Sequence, residues 1–383
     1  MSVTAALGFE AAGVAAGLRK SGGPDVALVV NRGPLSSAAA VFTSNRAKAN
    51  PILWSEQVIR DGVVSAIVLN SGGANCFTGA QGFQTVHATA ESVAAEIDVS
   101  SGDVLVCSTG LIGEQLDRDA LLAGVAAAAA SLSAGGGVDA ANAILTTDTV
   151  AKLFVADTGG WKIGGMAKGA GMLAPALATM LVVLTTDADL ASHELDAALR
   201  QAVASTFNRL DSDGCTSTND QVTLLASGAS DIRPDVEDFT STLTEVCADL
   251  ARQLMADAEG ASHEITITVR GAASESDAEE VGRSIARSNL FKAAVFGNDP
   301  NWGRVLAAIG TTSAPFDPYQ VDVSMNGIRV CHAGGPDAPR DTVDLSPRQL
   351  ALDIDLAAGS SSATILTNDL THAYVHENSA YAS

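Results

Sequence analysis

The sequence predicts an α+β fold in which sheets and helices are layered. Short apolar runs rich in β-branched residues, typical of buried strands, are mixed with longer segments of helical periodicity. Their order lacks the steady strand–helix–strand alternation of a doubly wound parallel sheet. Asn326-Gly327, set inside an alternating segment, is also a strong signal for an antiparallel hairpin. Together these observations predict mixed sheets covered by helices.

Each predicted strand is an apolar, largely β-branched run. The strands are Val26–Val30, Ser65–Leu69, Val104–Val106, Met180–Leu184, Ile265–Val269 and Ala363–Leu366, with the hairpin over Val321–Cys331. The predicted helices are Val86–Ile97, Arg118–Ser131, Ser192–Ser205, Asp238–Ala258 and Asp277–Arg287. In the fourth of these, apolar residues recur on one face and Gly260 marks the end, because glycine readily adopts the left-handed conformation that stops a helix.

The composition bounds the size and class of the protein. A chain of 383 residues with 47% hydrophobic residues is globular, and its length favours two lobes. With 22 basic and 44 acidic residues the net charge is −22, which argues against binding to nucleic acid or to an anionic membrane surface. No segment has the roughly 20 strongly apolar residues that a membrane span needs, and the N-terminus lacks the basic region of a signal peptide.

Cysteine and histidine do not form a metal-site pattern. The five cysteines are widely spaced and none belongs to a CxxC pair, which predicts reduced thiols and a cytoplasmic location. His372 and His376 are four residues apart, but two histidines without a third ligand make a weak zinc site. We therefore expect no metal.

The most unusual segment is glycine-rich, runs from Gly164 to Gly171 and contains a single cation, Lys168. A phosphate-binding P-loop requires Ser or Thr after its lysine and a helix beyond it. Here Gly169 follows the lysine and a strand follows the segment, so nucleotide binding is not favoured. On periodicity alone the segment is predicted to be a loop that lets backbones pack closely.

Thr179 stands at the start of the predicted strand that follows this loop. If the chain were cut just before Thr179, the new α-amino group would lie within reach of the threonine hydroxyl. Its pKa, ordinarily about 7.7–8.0, would let it act as a base near neutral pH. A threonine that uses its own amine in this way is an activated nucleophile without a histidine partner.

The segments Lys168–Pro175 and Ala178–Leu181 resemble the self-cleavage region of the glutamate N-acetyltransferases, also called ornithine acetyltransferases. The resemblance continues in order through most of the chain, at Ala40–Asn45, Asn70–Asn75, Ser108–Gly113, Thr146–Thr149, Ser217–Asp220, Asp257–Ala261, Phe296–Arg304 and Glu377–Tyr381. It implies an α/β/β/α sandwich like that of other N-terminal nucleophile enzymes.

The resemblance further implies self-cleavage between Ala178 and Thr179. The resulting α fragment (residues 1–178) and β fragment (residues 179–383) would stay intertwined and assemble as an α2β2 heterotetramer. Thr179 would take the acetyl group of N-acetylornithine as an ester, release ornithine and pass the acetyl group to glutamate. This ping-pong transfer serves arginine biosynthesis and needs no cofactor, acetyl-CoA being required only by a bifunctional form.

The resemblance also assigns the remaining site residues. Thr109 and Gly110 would supply the hydroxyl and the backbone N–H of an oxyanion hole. The substrate contacts it implies, besides Thr179, are Thr146, Lys168, Glu259, Asn378 and Ser383, with Thr147 as an alternative to its neighbour. Glu259 has some support from position, because a carboxylate at the C-terminal end of the predicted helix opposes the helix dipole and could instead pair with a substrate amine.

Three alternatives stay open at the level of sequence. A bifunctional enzyme would also acetylate glutamate from acetyl-CoA. An N-terminal nucleophile amidase or peptidase, such as a β-aminopeptidase, would use water in place of glutamate. An uncleaved binding protein would use the glycine-rich loop to hold an anion.

Overall fold

The computed structural model describes residues 2–173 and 180–380. Its helices are α1 (Asn50–Val58), α2 (Gly79–Ile97), α3 (Arg118–Ala130), α4 (Gly137–Ala143), α5 (Ser192–Ser205), α6 (Val236–Ala256), α7 (Glu275–Ala286), α8 (Asn289–Phe296), α9 (Trp302–Ile309) and α10 (His372–Ala380). Its strands are β1 (Phe9–Val14), β2 (Val26–Asn31), β3 (Ser37–Phe42), β4 (Ala66–Asn70), β5 (Val104–Ser108), β6 (Lys152–Asp157), β7 (Lys162–Lys168), β8 (Leu181–Thr186), β9 (Gln221–Ala226), β10 (Glu264–Ala272), β11 (Asp322–Met325), β12 (Ile328–His332), β13 (Gly335–Pro336), β14 (Gln349–Asp355) and β15 (Ser361–Asn368).

Two of the sheets pack face to face between two pairs of helices. The five-stranded sheet β3-β9-β8-β7-β6 meets the four-stranded sheet β1-β2-β4-β5 through one shared apolar cluster. Helices α5 and α6 cover the outer face of the first sheet, and α2 and α3 cover that of the second. Successive residues of a strand point to opposite faces of its sheet. Each strand of this α/β/β/α sandwich therefore packs into two cores, and its sequence is a continuous apolar run. The predicted layered α+β class is confirmed.

The five-stranded sheet combines strands from both sides of the predicted cleavage point. Strand β7 ends at Lys168 and pairs antiparallel with β8, with Lys168 opposite Leu181. Strand β8 runs parallel to β9, which in turn pairs antiparallel with β3. Residues before 178 and after 179 are therefore joined by backbone hydrogen bonds inside one sheet.

A separate six-stranded sheet, β13-β12-β11-β14-β10-β15, carries its own core together with α7 and α9. The hairpin predicted at Asn326-Gly327 is its β11–β12 pair. Asn326 and Gly327 both have positive φ, 47° and 79°, as a tight turn of this type requires. The α/β/β/α arrangement does not include this second unit.

The glycine-rich segment shows where the sequence prediction fails. Gly164 to Lys168 is not a loop but part of β7, and it is buried along its length. A Cβ on Gly164 would lie 2.3 Å from the carbonyl oxygen of Ser2, and one on Gly165 would lie 2.9 Å from a Leu250 methyl. The glycines are there because neighbouring layers approach the strand closely, which the local pattern cannot reveal.

Helix ends also shift relative to the prediction. Helix α2 begins seven residues earlier than predicted, at Gly79, and α6 begins after the N-cap Asp235, whose carboxylate accepts from two backbone N–H groups. Helix α6 ends at Ala256, so Glu259 lies in the turn beyond it and not at the helix terminus. Within the described ranges, no helix is long and apolar enough to cross a membrane.

Candidate functional site

A pocket of about 110 Å³ opens where strands of both sandwich sheets end, beside the turn after α6 and the terminal helix α10. It collects residues that are far apart in sequence. Its lining includes Thr109, Gly110, Thr146, Thr147, Lys168, Glu259 and Asn378, together with Ser217, Thr218 and Asn219. The fold thus brings six of the predicted site residues to one place, with Thr147 beside them.

Thr109 and Gly110 directly follow strand β5 and present two hydrogen-bond donors to the pocket. Among the described residues, neither the Gly110 N–H nor the Thr109 hydroxyl hydrogen has an acceptor. Gly110 has φ 129°, and a Cβ there would lie 2.6 Å from the backbone nitrogen of Gly73, so only glycine fits. Two unused donors on a rigid turn can bind an oxyanion.

Lys168 is the last residue of β7, and only 1% of it is exposed. Its Nζ donates to the Oγ1 of Thr109 at 3.2 Å and to the Oγ1 of Thr146 at 2.9 Å. An ammonium group can only donate, so Thr109 must accept from it and keeps its own hydroxyl hydrogen free. Lysine is usually exposed to solvent, but here the cation lies deep in the pocket wall.

Buried charges lie behind Lys168. Asp148, whose side chain is 0% exposed, lies 3.8 Å from the Lys168 Nζ and 2.6 Å from the Nζ of Lys152, also 0% exposed. Lys152 in turn pairs with Asp257. Burial acts to raise the pKa of Asp148, but Lys168 and Lys152 outweigh burial and hold that pKa below its ordinary value. Asp148 is therefore an ionised carboxylate inside the protein.

Glu259 and Asn378 form the opposite, more open wall. The Asn378 Nδ2 donates to the Glu259 Oε2 at 2.9 Å, and the Glu259 N–H donates to the carbonyl of Ala170 at 2.9 Å. The next residue, Gly260, has φ 62°, and a Cβ on it would lie 2.2 Å from the Tyr374 nitrogen. This close approach holds α10, and with it Asn378, against the turn that carries Glu259.

Ala178, Thr179 and Ser383 lie outside the described residues. The nearest described residue after Thr179 is Met180, whose N–H donates to the Asp220 Oδ1 at 3.2 Å. Asp220 is fully buried, and burial raises its pKa well above the ordinary value. Its Oδ2 has no hydrogen-bond partner within the described parts of the chain. The Asp220 carboxyl therefore holds the backbone at Met180, immediately after Thr179.

Sequence reasoning missed the residues behind the pocket surface. Asp148 and Asp220 lie within motifs that carried the family resemblance, yet a single sequence gives no sign that either carboxyl is buried. Asn219 was also missed, although its Nδ2 joins two backbone carbonyls, of Ala74 and Ser108, at 2.6 and 2.8 Å. Both Thr146 and Thr147 line the pocket, and of the two it is Thr146 that bonds to Lys168.

The metal alternative finds no cluster to support it. In residues 2–173 and 180–380, no group of three or more His, Cys, Asp or Glu side chains is arranged to hold a metal ion. His372 and His376 both lie on α10, and His372 packs against the ring of Phe296 at a centroid distance of 5.5 Å. These two histidines therefore give no support to a metal site.

Comparison with known proteins gives a match over nearly the whole chain. The family model described as "ArgJ family" matches residues 10–383. The "Arginine biosynthesis bifunctional protein ArgJ" of Streptomyces avermitilis is 62% identical over 383 residues, covering all of both chains. The protein of the same name from Mycobacterium leprae is 54% identical over 390 residues, covering all of this chain and 96% of its own.

Solved structures with related sequences match parts of the chain. An ornithine acetyltransferase complexed with ornithine from Mycobacterium tuberculosis is 51% identical, with a TM-score of 0.45, and covers 47% of this chain and 96% of its own. A structure named "Arginine biosynthesis bifunctional protein argJ" from Bacillus halodurans is 32% identical, with a TM-score of 0.49. It covers 51% of this chain and 97% of its own.

Proposed function

Because the chain belongs to the ArgJ family, we propose that it is a glutamate N-acetyltransferase of arginine biosynthesis. It transfers the acetyl group of N-acetylornithine to glutamate and releases ornithine and N-acetylglutamate. The observation that carries this assignment is the pocket itself. Thr109, Gly110, Thr146, Lys168, Glu259 and Asn378 come from five separate segments of the chain and line one small cavity.

The polarity of the pocket suits an acylated diamino acid. The Lys168 ammonium, with the Thr146 hydroxyl beside it, can bind a carboxylate by charge-assisted hydrogen bonds. On the opposite wall, the Glu259 carboxylate can pair with the free side-chain amine of N-acetylornithine. A substrate that spans from one wall to the other places its acetyl carbonyl near Thr109 and Gly110.

The chemistry proposed for this site has two steps. After cleavage between Ala178 and Thr179, the free amine of Thr179 takes the proton of its own hydroxyl as the oxygen attacks the acetyl carbonyl. The oxyanion that forms is stabilised by the Thr109 hydroxyl and the Gly110 N–H. As the oxyanion collapses, the Thr179 ammonium gives its proton to the leaving nitrogen, so the C–N bond breaks, ornithine departs as an amine and an acetyl ester remains on Thr179. The amine of glutamate then attacks the ester through a second oxyanion at the same position.

The decisive experiment combines intact-mass spectrometry with a transfer assay. Fresh protein is expected as two species of roughly 18 and 21 kDa, in proportion to fragment length, with Thr179 leading the heavier one. Incubation with N-acetylornithine alone should make that species heavier by one acetyl group, and glutamate should remove the group again. The Thr179→Ala protein should remain a single chain of 38.7 kDa that transfers nothing.

Three outcomes would contradict the assignment. Release of free acetate without glutamate, at the rate seen with it, would identify a hydrolase and overturn the transferase assignment. A wild-type protein that stays uncut and inert would point to a binding protein. A Thr179→Ala protein that is cut or active would refute Thr179 as the nucleophile.

The similar proteins from Streptomyces avermitilis and Mycobacterium leprae are named bifunctional. As the second activity of this chain we propose the acetylation of glutamate from acetyl-CoA. We expect acetyl-CoA only as a donor for that reaction, and no cofactor for the exchange between the two amino acids. An assay with acetyl-CoA as sole donor tests the first expectation. An exchange assay with N-acetylornithine and glutamate, without CoA and in the presence of a chelator, tests the second.

The expected assembly follows from the family resemblance, and the expected location follows from the cysteine pattern. We expect an α2β2 heterotetramer with twice the 38.7 kDa mass of one chain, measurable by native mass spectrometry. A cytoplasmic location agrees with the described cysteines, all of which are free thiols. Fractionation of the source cells would test it.

A further inference from the structure

Asp148 receives hydrogen bonds from three directions at the base of the pocket. Its Oδ1 accepts from the Gly169 N–H and from the Lys152 Nζ, both at 2.6 Å, and its Oδ2 accepts from the Thr146 N–H at 3.1 Å. The Lys168 Nζ lies 3.8 Å from Oδ2. The polar atoms facing this carboxylate are thus all donors, which only an ionised, acceptor-only group can satisfy.

Two of these contacts hold backbone on either side of the pocket. Gly169 directly follows β7, and Thr146 lies in the connection between α4 and β6. A single buried side chain therefore ties together the two segments that carry Lys168 and the Thr146 hydroxyl. Asp148 thus adds a side-chain link between these segments to the backbone pairing of β6 with β7.

The consequence reaches Thr109, which Asp148 does not touch. The Lys168 ammonium donates to the hydroxyls of both Thr109 and Thr146, so its position fixes how each hydroxyl is oriented. If the ammonium moved or lost its proton, Thr109 would be free to turn its hydrogen away from the acyl oxygen. Preorganised donors are what an oxyanion site requires, because reorienting them during the reaction costs activation energy.

We propose that Asp148 is a positioning residue of the acetyl-transfer reaction: its carboxylate holds the Lys168 ammonium in place, and through it the Thr109 hydroxyl, in the donor arrangement that stabilises the oxyanion. The inference rests on the proposed function, whose oxyanion site it deepens. Asp148 itself does not reach the open part of the pocket, since its side chain is fully buried.

The charges around Lys168 predict how the pH profile responds. Burial lowers the pKa of Lys168, Asp148 raises it, Lys152 lowers it, and Glu259 and Asp220 raise it further. Among the groups that oppose burial, Asp148 has the largest effect. Removing its charge leaves burial less opposed, so Lys168 should lose its proton at lower pH.

The test compares Asp148→Asn with Asp257→Asn. Both remove one carboxylate from the same buried charge group. Asp257, however, accepts from Lys152, from the Thr149 hydroxyl and from the Thr149 and Val150 N–H groups, and it has no hydrogen bond to Lys168 or Thr146. Asp148→Asn should lower kcat by about 10- to 100-fold, less than the loss of the oxyanion donor itself would cost. The alkaline limb of its kcat/KM profile should move to lower pH. Asp257→Asn should keep kcat within about threefold, and equal losses of kcat in the two variants would overturn the proposal.

A double-mutant cycle asks whether Asp148 acts through Lys168. If it does, adding Asp148→Asn to the Lys168→Met variant should reduce kcat by less than about threefold relative to Lys168→Met alone. If the two losses of kcat multiply, the effects are independent and the proposal is wrong. If Asp148→Asn does not accumulate as folded protein, the pKa of Asp148 can be measured in wild type by ¹³C NMR. The Asp148 carboxyl signal is assigned as the aspartate signal whose chemical shift changes most in Lys168→Met. A pKa at or above the ordinary value would then overturn the proposal.

The cycle also separates this inference from the proposed function. If the wild-type protein transfers no acetyl group, the proposed function is wrong. If the wild-type protein transfers the group and Asp148→Asn has the same kcat, only the positioning role of Asp148 is wrong.

Discussion

The two walls of the pocket hold their charges in different ways. On the inner wall, Lys168 and Thr109 are each 1% exposed and are fixed by buried ionic and hydrogen bonds. On the outer wall, Glu259 is partly exposed, and its partner Asn378 lies exposed on the last helix. The inner wall is built from strands of the central sandwich, whereas the outer wall is built from a turn and a chain end.

This difference matches the demands of the proposed ping-pong reaction. In that reaction an oxyanion would form twice in each cycle at the same place, so its donors would gain from being rigid and dry. The amino acids, in contrast, must enter and leave twice in each cycle. A wall made of a turn and a terminal helix can accommodate that exchange without disturbing the donors. The inner wall should therefore control kcat, and the outer wall should control substrate affinity.

The largest effect expected from this comparison comes from the inner wall. Thr109→Ala removes one oxyanion donor and should lower kcat by about 10²- to 10³-fold, with KM little changed. Thr109→Ser is the matched control, because it keeps the hydroxyl and should retain most of the activity. Steady-state kinetics with N-acetylornithine and glutamate measure both. Unchanged turnover in Thr109→Ala would reduce Thr109 to a residue that shapes the turn.

A smaller effect is expected from the outer wall. Glu259→Gln keeps the size of the side chain but removes the charge that pairs with the substrate amine. The KM for N-acetylornithine should rise by about 10- to 100-fold, the value of a charge-assisted hydrogen bond, while kcat changes less. Glu237→Gln, on the exposed first turn of α6, removes the same charge away from the pocket and should leave both constants unchanged. A drop in kcat alone in Glu259→Gln would contradict the division of roles between the walls.

The smallest effect concerns the second buried acid of the inner wall, and it sharpens the contrast with Asp148. The pKa of Asp220 is raised in the folded protein, so its contribution to stability is complete below the unfolded value near 3.9 and is lost as the pH rises through the folded value. Asp220→Asn cannot ionise. Urea unfolding at several pH values should show the variant gaining stability relative to wild type as the pH rises above about 4. A difference that does not change with pH would mean that Asp220 is ionised.

Much of the sandwich could be predicted from local pattern. Strands such as β2 and β4 are buried on both faces, and their unbroken apolar runs show this directly. Helix α5 has the predicted bounds, because its apolar positions recur at helical spacing between clear polar flanks. Strand β9 was missed although it is equally buried, since Gln221 and Thr223 interrupt the apolar run and bond to each other inside the protein.

The inner wall could not be predicted from residue types. Lysine and aspartate are usually exposed, so nothing local to Asp148, Lys152 or Lys168 indicates that all three side chains are buried. Their burial depends on mutual pairing across segments that meet only in the folded chain. The family resemblance supplied the residues facing the pocket, but the charges behind them are visible only in three dimensions.

The pairing of β7 with β8 has a consequence for how the protein refolds after it is denatured. In the uncut chain these strands are neighbours on one polypeptide, and their association has the low entropic cost of closing a short connection. If the chain is cut between Ala178 and Thr179, as proposed, the same pairing joins two separate polypeptides. Refolding then becomes a second-order encounter, slowed by dilution, between partners with exposed apolar strands. The cut enzyme would therefore refold inefficiently after denaturation, so cleavage would make unfolding effectively irreversible.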